Sequence, residues 1–116
     1  MSDSSCLFCK IAGGEIPAKI VHQDEHVVAF EDINPQAPTH LLVISRAHIP
    51  SLDALDESHH ETVGRVIHRS SELARSRGLA ADGYRLVVNC GPGAGQTVYH
   101  LHVHLLGGRG FSWPPG

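Results

Sequence analysis

Three histidines near the carboxyl end of the chain alternate with apolar residues in the run His100-Leu101-His102-Val103-His104. Successive side chains of a β-strand point to opposite faces of a sheet, so this spacing would put the three imidazoles on one face, about 6.6 Å apart. A neutral imidazole, whose ordinary pKa is about 6.5, can act near pH 7 as a nucleophile, a base or a metal ligand. The run therefore predicts a reactive site. The alternatives are a metal held by three histidines and a strand with a merely polar face.

The segment before the histidines is rich in glycine and has the sequence Gly-Pro-Gly-Ala-Gly over residues 91–95. Loops of this kind expose backbone N–H groups that can surround an anion, and Asn89 and Thr97 add polar side chains on either side. The segment lacks the Gly-Lys-Ser/Thr ending of a P-loop and does not open a helix. Alone it could be a flexible turn, but beside three imidazoles it predicts a phosphate-binding site.

The elements that must position these residues follow from periodicity and turn residues. A helix with one apolar stripe begins near Ser58 or Asp56 and ends at Gly78. Short apolar and β-branched runs predict five strands, over residues 19–23, 26–32, 40–45, 84–89 and 98–106, and one helical turn over residues 6–11. This order predicts an α+β fold, in which an antiparallel meander of about five strands carries one main helix on one face.

Size and composition favour a single domain spanning residues 1–116. The chain is 41% hydrophobic and 18% charged, and no apolar run approaches the roughly 18 residues of a membrane span. A net charge of −3, without a Lys/Arg run, gives no indication of nucleic-acid binding. The start has no signal-peptide pattern, so we expect a cytoplasmic protein, with residues 1–5 disordered and residues 107–116 forming an irregular tail.

Several segments carry a resemblance to a known family, namely the run from His100 to Leu106 and residues 8–11, 14–19, 29–40 and 107–116. The histidine run matches the alternating pattern of the histidine triad (HIT) family of nucleotide-binding proteins, and the other segments are similar to its Hint branch. The likeness extends over nearly the whole chain. It implies a HIT-like fold with a short N-terminal helix and a two-fold homodimer whose sheets join into one. It also implies purine nucleoside phosphoramidase activity, which converts phosphoramidates to nucleoside monophosphates.

The resemblance assigns the catalytic roles to four histidines. His102 would be the nucleophile, with its second ring nitrogen held by the backbone carbonyl of His100, and His104 and His40 would complete the catalytic group. A phosphohistidine ester contains a P–N bond, so the first step would replace one P–N bond by another. The resemblance also implies that phosphate oxygens bind to His104, Asn89, Thr97 and the Gly95 N–H.

The rest of the nucleotide site is likewise implied by the resemblance. The purine would lie among Phe8, Ile16, Phe30 and Ile33, and Asp32 would accept hydrogen bonds from the ribose hydroxyls. Trp113 in the tail would reach the active site of the partner subunit. Residue type alone favours an ordinary core for the four apolar residues and a turn for the aspartate.

Cys6 and Cys9 form a Cys-x-x-Cys pair, which in a reducing compartment indicates metal binding or redox chemistry. The similarity to bacterial relatives implies a structural zinc site that pairs these thiols with His40 and His100. The alternative is two unpaired thiols near the amino terminus. Cys90 has no predicted role, and neither does His48, which lies in a loop.

Two other functions compete with phosphoramidate hydrolysis. Residues 95–98 also resemble the dinucleoside polyphosphate hydrolases, which form the neighbouring branch of the family. A nucleotide-binding regulatory module would use the same pocket without turnover. The transferase branch has glutamine as its third triad residue, so His104 argues against it.

Overall fold

The computed structural model describes residues 3–116, and its elements follow the predicted order along the chain. Within these residues the main elements are α1 (Leu7–Ala12), β1 (Ile20–Gln23), β2 (Val27–Glu31), β3 (Thr39–Ser45), α2 (His60–Ser76), β4 (Tyr84–Val87) and β5 (His102–Gly107). Short 3-10 turns lie at Leu52–Ala54, Glu57–His59 and Pro92–Ala94. The α+β class, the antiparallel sheet and the short N-terminal helix are therefore confirmed.

The strands pair in the order β1-β2-β3-β5-β4, and every neighbouring pair is antiparallel. The predicted meander holds for β1 to β3 but is wrong for the last two strands, because β5 lies between β3 and β4. Burial explains this order. Val103 and Leu105 of β5 are buried and need a covered, central strand, whereas the short and partly exposed β4 suits an edge.

The helix α2 covers one face of the sheet. Its residues Val66, Leu73 and Ala74 pack against inward-facing side chains of the central strands, among them Val43 and Leu105. Burial of such side chains contributes about 25 cal/mol per Å² of apolar surface. The predicted apolar stripe thus lies on the sheet.

The short helix α1 covers the opposite face. Phe8 and Ile11 pack against Phe30, Leu42 and Ile44 of the neighbouring strands. Because helices lie on both faces, all seven residues of β3 are buried, as is typical of a central strand covered on both sides. The molecule therefore has three layers: α1, the sheet and α2.

The limits of α2 follow local capping chemistry. Of the two predicted start signals, Asp56 is the one used, but it caps the 3-10 turn Glu57–His59 that leads into α2: its side chain accepts from the Ser58 N–H at 2.8 Å, in a capping box with His59. The helix α2 itself begins at His60 without a side-chain cap. The helix ends at Ser76 with Arg77 as its C-cap, and Gly78, the predicted stop, follows with a φ of +74°. A left-handed residue at this position closes a helix, and glycine adopts it without steric cost.

The last strand is shorter than the predicted range of residues 98–106. Regular pairing begins only at His102, since the Leu101 N–H donates to the Ile49 carbonyl in a loop instead of continuing the ladder. The strand ends at Gly107, and the irregular tail begins at Gly108. His100 therefore lies before the strand, and its ring is not constrained by strand alternation.

The predicted disorder of residues 1–5 can be compared with the structure only from Asp3 onward, because residues 1–2 lie outside the described residues. Residues 3–5 form a turn in which the Ser5 N–H donates to Asp3 Oδ1 at 2.8 Å. The Cys6 N–H then donates to the Asp3 carbonyl at 3.1 Å. Among residues 3–116, no helix is both long enough and apolar enough to cross a membrane.

Candidate active site

The strand β5 places His102 and His104 on the face of the sheet that α1 covers. In the β3–β5 register, His102 lies opposite Ile44 and His104 opposite Leu42, and both partners belong to the core beneath α1. The intervening apolar residues of β5 face α2. The predicted alternation therefore brings these two imidazoles to one face, with ring centroids 5.1 Å apart.

His102 is oriented by a backbone group two residues earlier. Its Nδ1–H donates to the carbonyl oxygen of His100 at 2.6 Å, as the resemblance implies. Phe8 packs against the ring edge to face, with centroids 5.0 Å apart. Because the proton is held on Nδ1, the lone pair of the neutral ring lies on Nε2, which is the arrangement that a nucleophile requires.

Burial favours the neutral form of both histidines of β5. It lowers the pKa of His102, while the His100 carbonyl and Asp32 act in the opposite direction. It also lowers the pKa of His104 to about 4, with the nearby rings of His102 and His40 contributing. Only the neutral imidazole is nucleophilic, so this environment supports nucleophilic chemistry near pH 7.

His40, near the start of β3, is hydrogen-bonded to His104: its Nε2 lies 2.9 Å from Nδ1 of His104. The backbone N–H of Gln36 donates to His40 Nδ1 at 3.0 Å, so the ring proton of neutral His40 lies on Nε2. His40 therefore donates to His104 Nδ1, and the proton of His104 lies on Nε2. Burial lowers the pKa of His40, against the opposing effect of Asp32.

Asp32 follows β2 and lies at the edge of this pair. Its Oδ2 is 3.4 Å from His40 Nε2, and its Oδ1 accepts from the Asn34 N–H at 2.8 Å. The hydrogen bond with the Asn34 N–H closes the kind of turn that aspartate favours. The carboxylate is half-buried, so it can still accept hydrogen bonds from a bound ligand.

A second cluster lies on the other side of His100. Potential ligand atoms of Cys6, Cys9, His48 and His100 all lie within 4.8 Å of one another. The Cys6 Sγ is 3.3 Å from His100 Nδ1, and the Cys9 Sγ is 3.3 Å from His48 Nδ1. Two cysteines and two histidines are a common ligand set for structural zinc.

The prediction that His40 belongs to this cluster is wrong, and His48 takes its place. The strand register gives the reason. Ile44 lies opposite His102, so residue 46 is the position of this register that lies opposite His100. His40 is six residues (46 − 40) before residue 46, which is about 20 Å along the strand. His48, in the loop after β3, lies at the end of the strand where His100 is found.

The ring orientations in this cluster fit a bound cation. His100 Nε2–H donates to the Ser45 carbonyl at 2.6 Å, so the His100 lone pair lies on Nδ1. His48 directs its Nδ1 at His100 Nδ1, 3.3 Å away, and its Nε2 toward Asp3 Oδ2 at 3.9 Å. The two facing ring nitrogens and the two sulfurs thus surround one point, where a cation could contact all four atoms. Acceptors on the outer nitrogens are also typical of metal-binding histidines.

The glycine-rich loop is held in place by Gln96, a buried residue that sequence reasoning did not single out. Its Oε1 accepts from the Gly91 N–H at 2.9 Å, and its Nε2 donates to the Pro50 and Val98 carbonyls at 3.0 and 3.1 Å. The Gly95 N–H donates to the Pro92 carbonyl at 3.1 Å, closing the 3-10 turn. A phosphate that accepts from the Gly95 N–H would either share this donor with the Pro92 carbonyl or take the place of that carbonyl.

The predicted base-binding residues fall into two groups. Phe8 and Phe30 are buried in the core beneath α1 with ring centroids 5.4 Å apart, and half-buried Ile16 packs against them. Ile33 is 100% exposed and Trp113 is 84% exposed, so the single chain does not bring either into this group. Of the predicted phosphate-binding residues, Asn89 is half-buried and Thr97 is exposed.

Three functional candidates escaped sequence reasoning: His48, Gln36 and Gln96. All three lie outside the regular strands and helices and act through contacts that depend on tertiary register, so periodicity cannot identify them. One signal was available for His48. It follows β3, and antiparallel pairing of β3 with the histidine strand brings residues after β3 near His100.

The chain is similar to known proteins over most of its length. A model described as the HIT domain matches residues 13–111. The "14 kDa zinc-binding protein" of Zea mays is 48% identical over 118 residues, which cover 100% of this chain and 91% of the relative. The "Purine nucleoside phosphoramidase" of Escherichia coli (strain K12) is 48% identical over 103 residues, which cover 89% of this chain and 87% of the relative.

Solved structures give the same result. The HIT family hydrolase from Legionella pneumophila Philadelphia 1 has a TM-score of 0.94 and 52% identity, covering 96% of this chain and 99% of that chain. The Zn-bound histidine triad family protein from Mycobacterium smegmatis has a TM-score of 0.80 and 32% identity, covering 97% of this chain and 80% of that chain. With the family match over most of its residues, the chain belongs to the HIT domain family.

Proposed function

We propose that this HIT-family protein is a nucleotide hydrolase that cleaves the P–N bond of purine nucleoside 5′-phosphoramidates through a covalent intermediate on His102. The observation that carries this proposal is the 2.6 Å hydrogen bond from His102 Nδ1 to the His100 carbonyl, which puts the free lone pair on Nε2. Similarity to the E. coli phosphoramidase supports the choice of substrate.

In the first step, the Nε2 lone pair of His102 attacks phosphorus, and the bond from phosphorus to the amine nitrogen breaks. The leaving nitrogen takes a proton from solvent water, and the hydroxyl that remains is transferred to phosphorus in the second step, which frees His102. The sum is substrate plus water giving nucleoside monophosphate plus amine. As the imidazole gains positive charge, the His100 carbonyl that accepts Nδ1–H stabilises it.

Other groups bind and orient the nucleotide in this proposal. The Nε2–H of His104 donates to a phosphate oxygen, together with Asn89, Thr97 and the Gly95 N–H. Asp32 accepts from the ribose hydroxyls, and the purine lies against Phe8, Ile16, Phe30 and Ile33. Trp113, which is exposed in the single chain, borders the leaving-group side of a partner's site.

We also propose that Cys6, Cys9, His48 and His100 bind zinc. The convergence of the four ligand atoms within 4.8 Å of one another supports this, as does similarity to a zinc-binding relative and to a Zn-bound structure. A closed site of four protein ligands has no open position for substrate. The metal would therefore stabilise the fold and hold the amino-terminal segment against the sheet.

We propose one domain over residues 1–116 and a homodimer that joins two sheets across a two-fold axis. The free thiols of Cys6 and Cys9 fit the reducing cytoplasm, where unpaired cysteines persist.

Replacement of the nucleophile tests the function. His102→Ala should lose hydrolysis of an adenosine 5′-phosphoramidate by several orders of magnitude, as expected when a covalent nucleophile is removed. Binding of AMP, measured by calorimetry, should remain. His68→Ala, an exposed change on α2, is the matched control and should keep full activity.

Mass spectrometry of a quenched reaction should find one nucleoside monophosphate on the peptide that contains His102. Hydrolysis that survives in His102→Ala would contradict the assignment. Faster turnover of a diadenosine polyphosphate than of the phosphoramidate would favour the neighbouring hydrolase branch. AMP binding without turnover of either substrate would favour a regulatory module.

A further inference from the structure

The tail after β5 is attached to the rest of the molecule by two arginines. The guanidinium of Arg109 lies 4.4 Å from the ring centroid of Phe111, and that of Arg85 lies 5.0 Å from the same centroid. Arg85 also donates to the Ser112 carbonyl at 3.0 Å. Both guanidinium groups thus make cation–π contacts with the ring of Phe111, and these contacts hold the tail in place.

Besides a hydrogen bond to the Gly110 carbonyl at 3.0 Å within the tail, Arg109 makes a contact with another part of the chain. Its Nε–H donates to the backbone carbonyl of Gln36 at 2.9 Å, in the loop between β2 and β3. The tail packs closely on the same loop, since a Cβ built on Gly108 would lie 2.9 Å from Pro38 Cβ. Gly108 has a φ of +92°, so both its backbone conformation and its surroundings favour glycine.

Gln36 connects this contact to the candidate active site. Its carbonyl accepts from Arg109, and its N–H donates to His40 Nδ1 at 3.0 Å. His40 Nε2 in turn lies 2.9 Å from His104 Nδ1. A chain of three hydrogen bonds therefore runs from a tail arginine to the third histidine of the triad.

This series of hydrogen bonds determines which ring nitrogen of His104 carries the proton. An imidazole has two neutral tautomers, and a backbone N–H that donates to Nδ1 selects the form with the proton on Nε2. If Gln36 turned away, His40 could carry its proton on Nδ1 and accept at Nε2. His104 would then have to donate from Nδ1 and would present a lone pair to the phosphate instead of a proton.

We propose that Arg109 is a positioning residue for the hydrolytic reaction: it fixes Gln36, and through Gln36 and His40 it holds His104 in the tautomer that donates to the phosphate. The inference rests on the proposed function and adds the carboxyl-terminal tail to the catalytic machinery. It concerns only the chain's own tail, without a contribution from a partner.

Arg109→Met and Arg85→Met form a matched pair of variants. Both remove a cation–π contact with Phe111, but only the first removes the donor to Gln36. We expect Arg109→Met to lower kcat for the adenosine phosphoramidate about tenfold, the equivalent of one charge-assisted hydrogen bond of about 1.4 kcal/mol. We expect KM and AMP affinity to change less than kcat, and Arg85→Met to stay within about twofold of the wild type. Arg109→Lys, which can still donate to the carbonyl, should recover most of kcat.

Ring-nitrogen NMR provides a readout that a structural role of the tail would not change. Two-bond ¹H–¹⁵N correlation spectra should show His40 and His104 with protonated Nε2 in the wild type and in Arg85→Met. In Arg109→Met they should show averaged shifts from a mixture of tautomers. Unchanged tautomers and kcat in Arg109→Met, or an equal loss of kcat in both methionine variants, would overturn the proposal. If the wild type hydrolyses no phosphoramidate, the proposed function fails, and the NMR spectra still decide whether Arg109 sets the tautomer.

Discussion

At the residue scale, neutral histidines of this protein differ in which ring nitrogen is free, and backbone carbonyls or N–H groups decide it. The His100 carbonyl fixes His102, the Ser45 carbonyl fixes His100, and the Gln36 N–H fixes His40. In the proposed function, one side-chain type would thereby supply a nucleophile, a metal ligand and a hydrogen-bond donor within one small region.

Zinc affinity should depend on His48 and not on His40. We expect His48→Ala to weaken zinc binding on the order of 100-fold or more, since even loss of a group that only supports a ligand costs 10–100-fold. His40→Ala is the control and should bind zinc as the wild type does, because its ring lies with His104. Competition with a chromophoric chelator measures both affinities. Equal affinity of His48→Ala and the wild type would exclude His48 as a ligand.

The sequence predicts individual site residues to different degrees. Strand alternation predicts that His102 and His104 share a face, because it depends only on backbone geometry. The positions of Ile33 and Trp113 could not be predicted in this way. Their roles were implied by resemblance alone, and both side chains are exposed in the single chain.

At the element scale, the helix α1 is too short to be stable by itself. It has six residues, whereas isolated helices shorter than about 12 residues are marginal in water. Packing of Phe8 and Ile11 on the sheet stabilises it. So does Cys6, whose side chain accepts from the Cys9 N–H at its amino end.

Metal removal should therefore loosen α1 before the rest of the fold. When a chelator strips zinc from the purified protein, we expect amide hydrogen exchange in residues 6–12 to become at least about tenfold faster, as local openings do when a stabilising contact is lost. Exchange in β3 should change little, because that strand is buried on both faces. Hydrogen-exchange mass spectrometry resolves the two segments. If exchange became equally faster in residues 6–12 and in β3, or changed in neither segment, a local role for the metal would be contradicted.

The prediction of elements succeeded where a local signal exists and failed where pairing depends on distant residues. Asp24 and Glu25 predict the turn between β1 and β2, and Asp24 Oδ1 indeed accepts from the N–H groups of His26 and Val27 at 2.7 and 2.9 Å. The insertion of β5 between β3 and β4 has no local signal. It follows from the burial of Val103 and Leu105, which a central strand provides and an edge strand does not.

At the scale of the whole molecule, buried neutral histidines make stability depend on pH. His104 has a folded pKa of about 4, below its ordinary value, so the unfolded chain binds more protons between about pH 4 and 6.5. The pKa values of His40 and His102 shift in the same direction. The free energy of unfolding should therefore decrease as pH falls through this window.

We expect the urea midpoint to be lower at pH 5 than at pH 7, and the difference to be smaller in His104→Asn, which has no titrating ring. The groups that face His104 are Asp32, His40 and His102. Any acid-induced loss of metal affects both proteins alike, so the comparison isolates His104. A pH dependence of the same size in wild type and variant would contradict the role of this residue.

His100 contributes its ring to the thiol cluster and its backbone carbonyl to His102. Substitution removes the ring and leaves the carbonyl. A saturation mutagenesis scan at this position would therefore register the loss of the proposed metal site, while the carbonyl that orients the proposed nucleophile stayed in the chain. Variants of the first histidine of the motif would therefore report on metal binding and not on the orientation of His102.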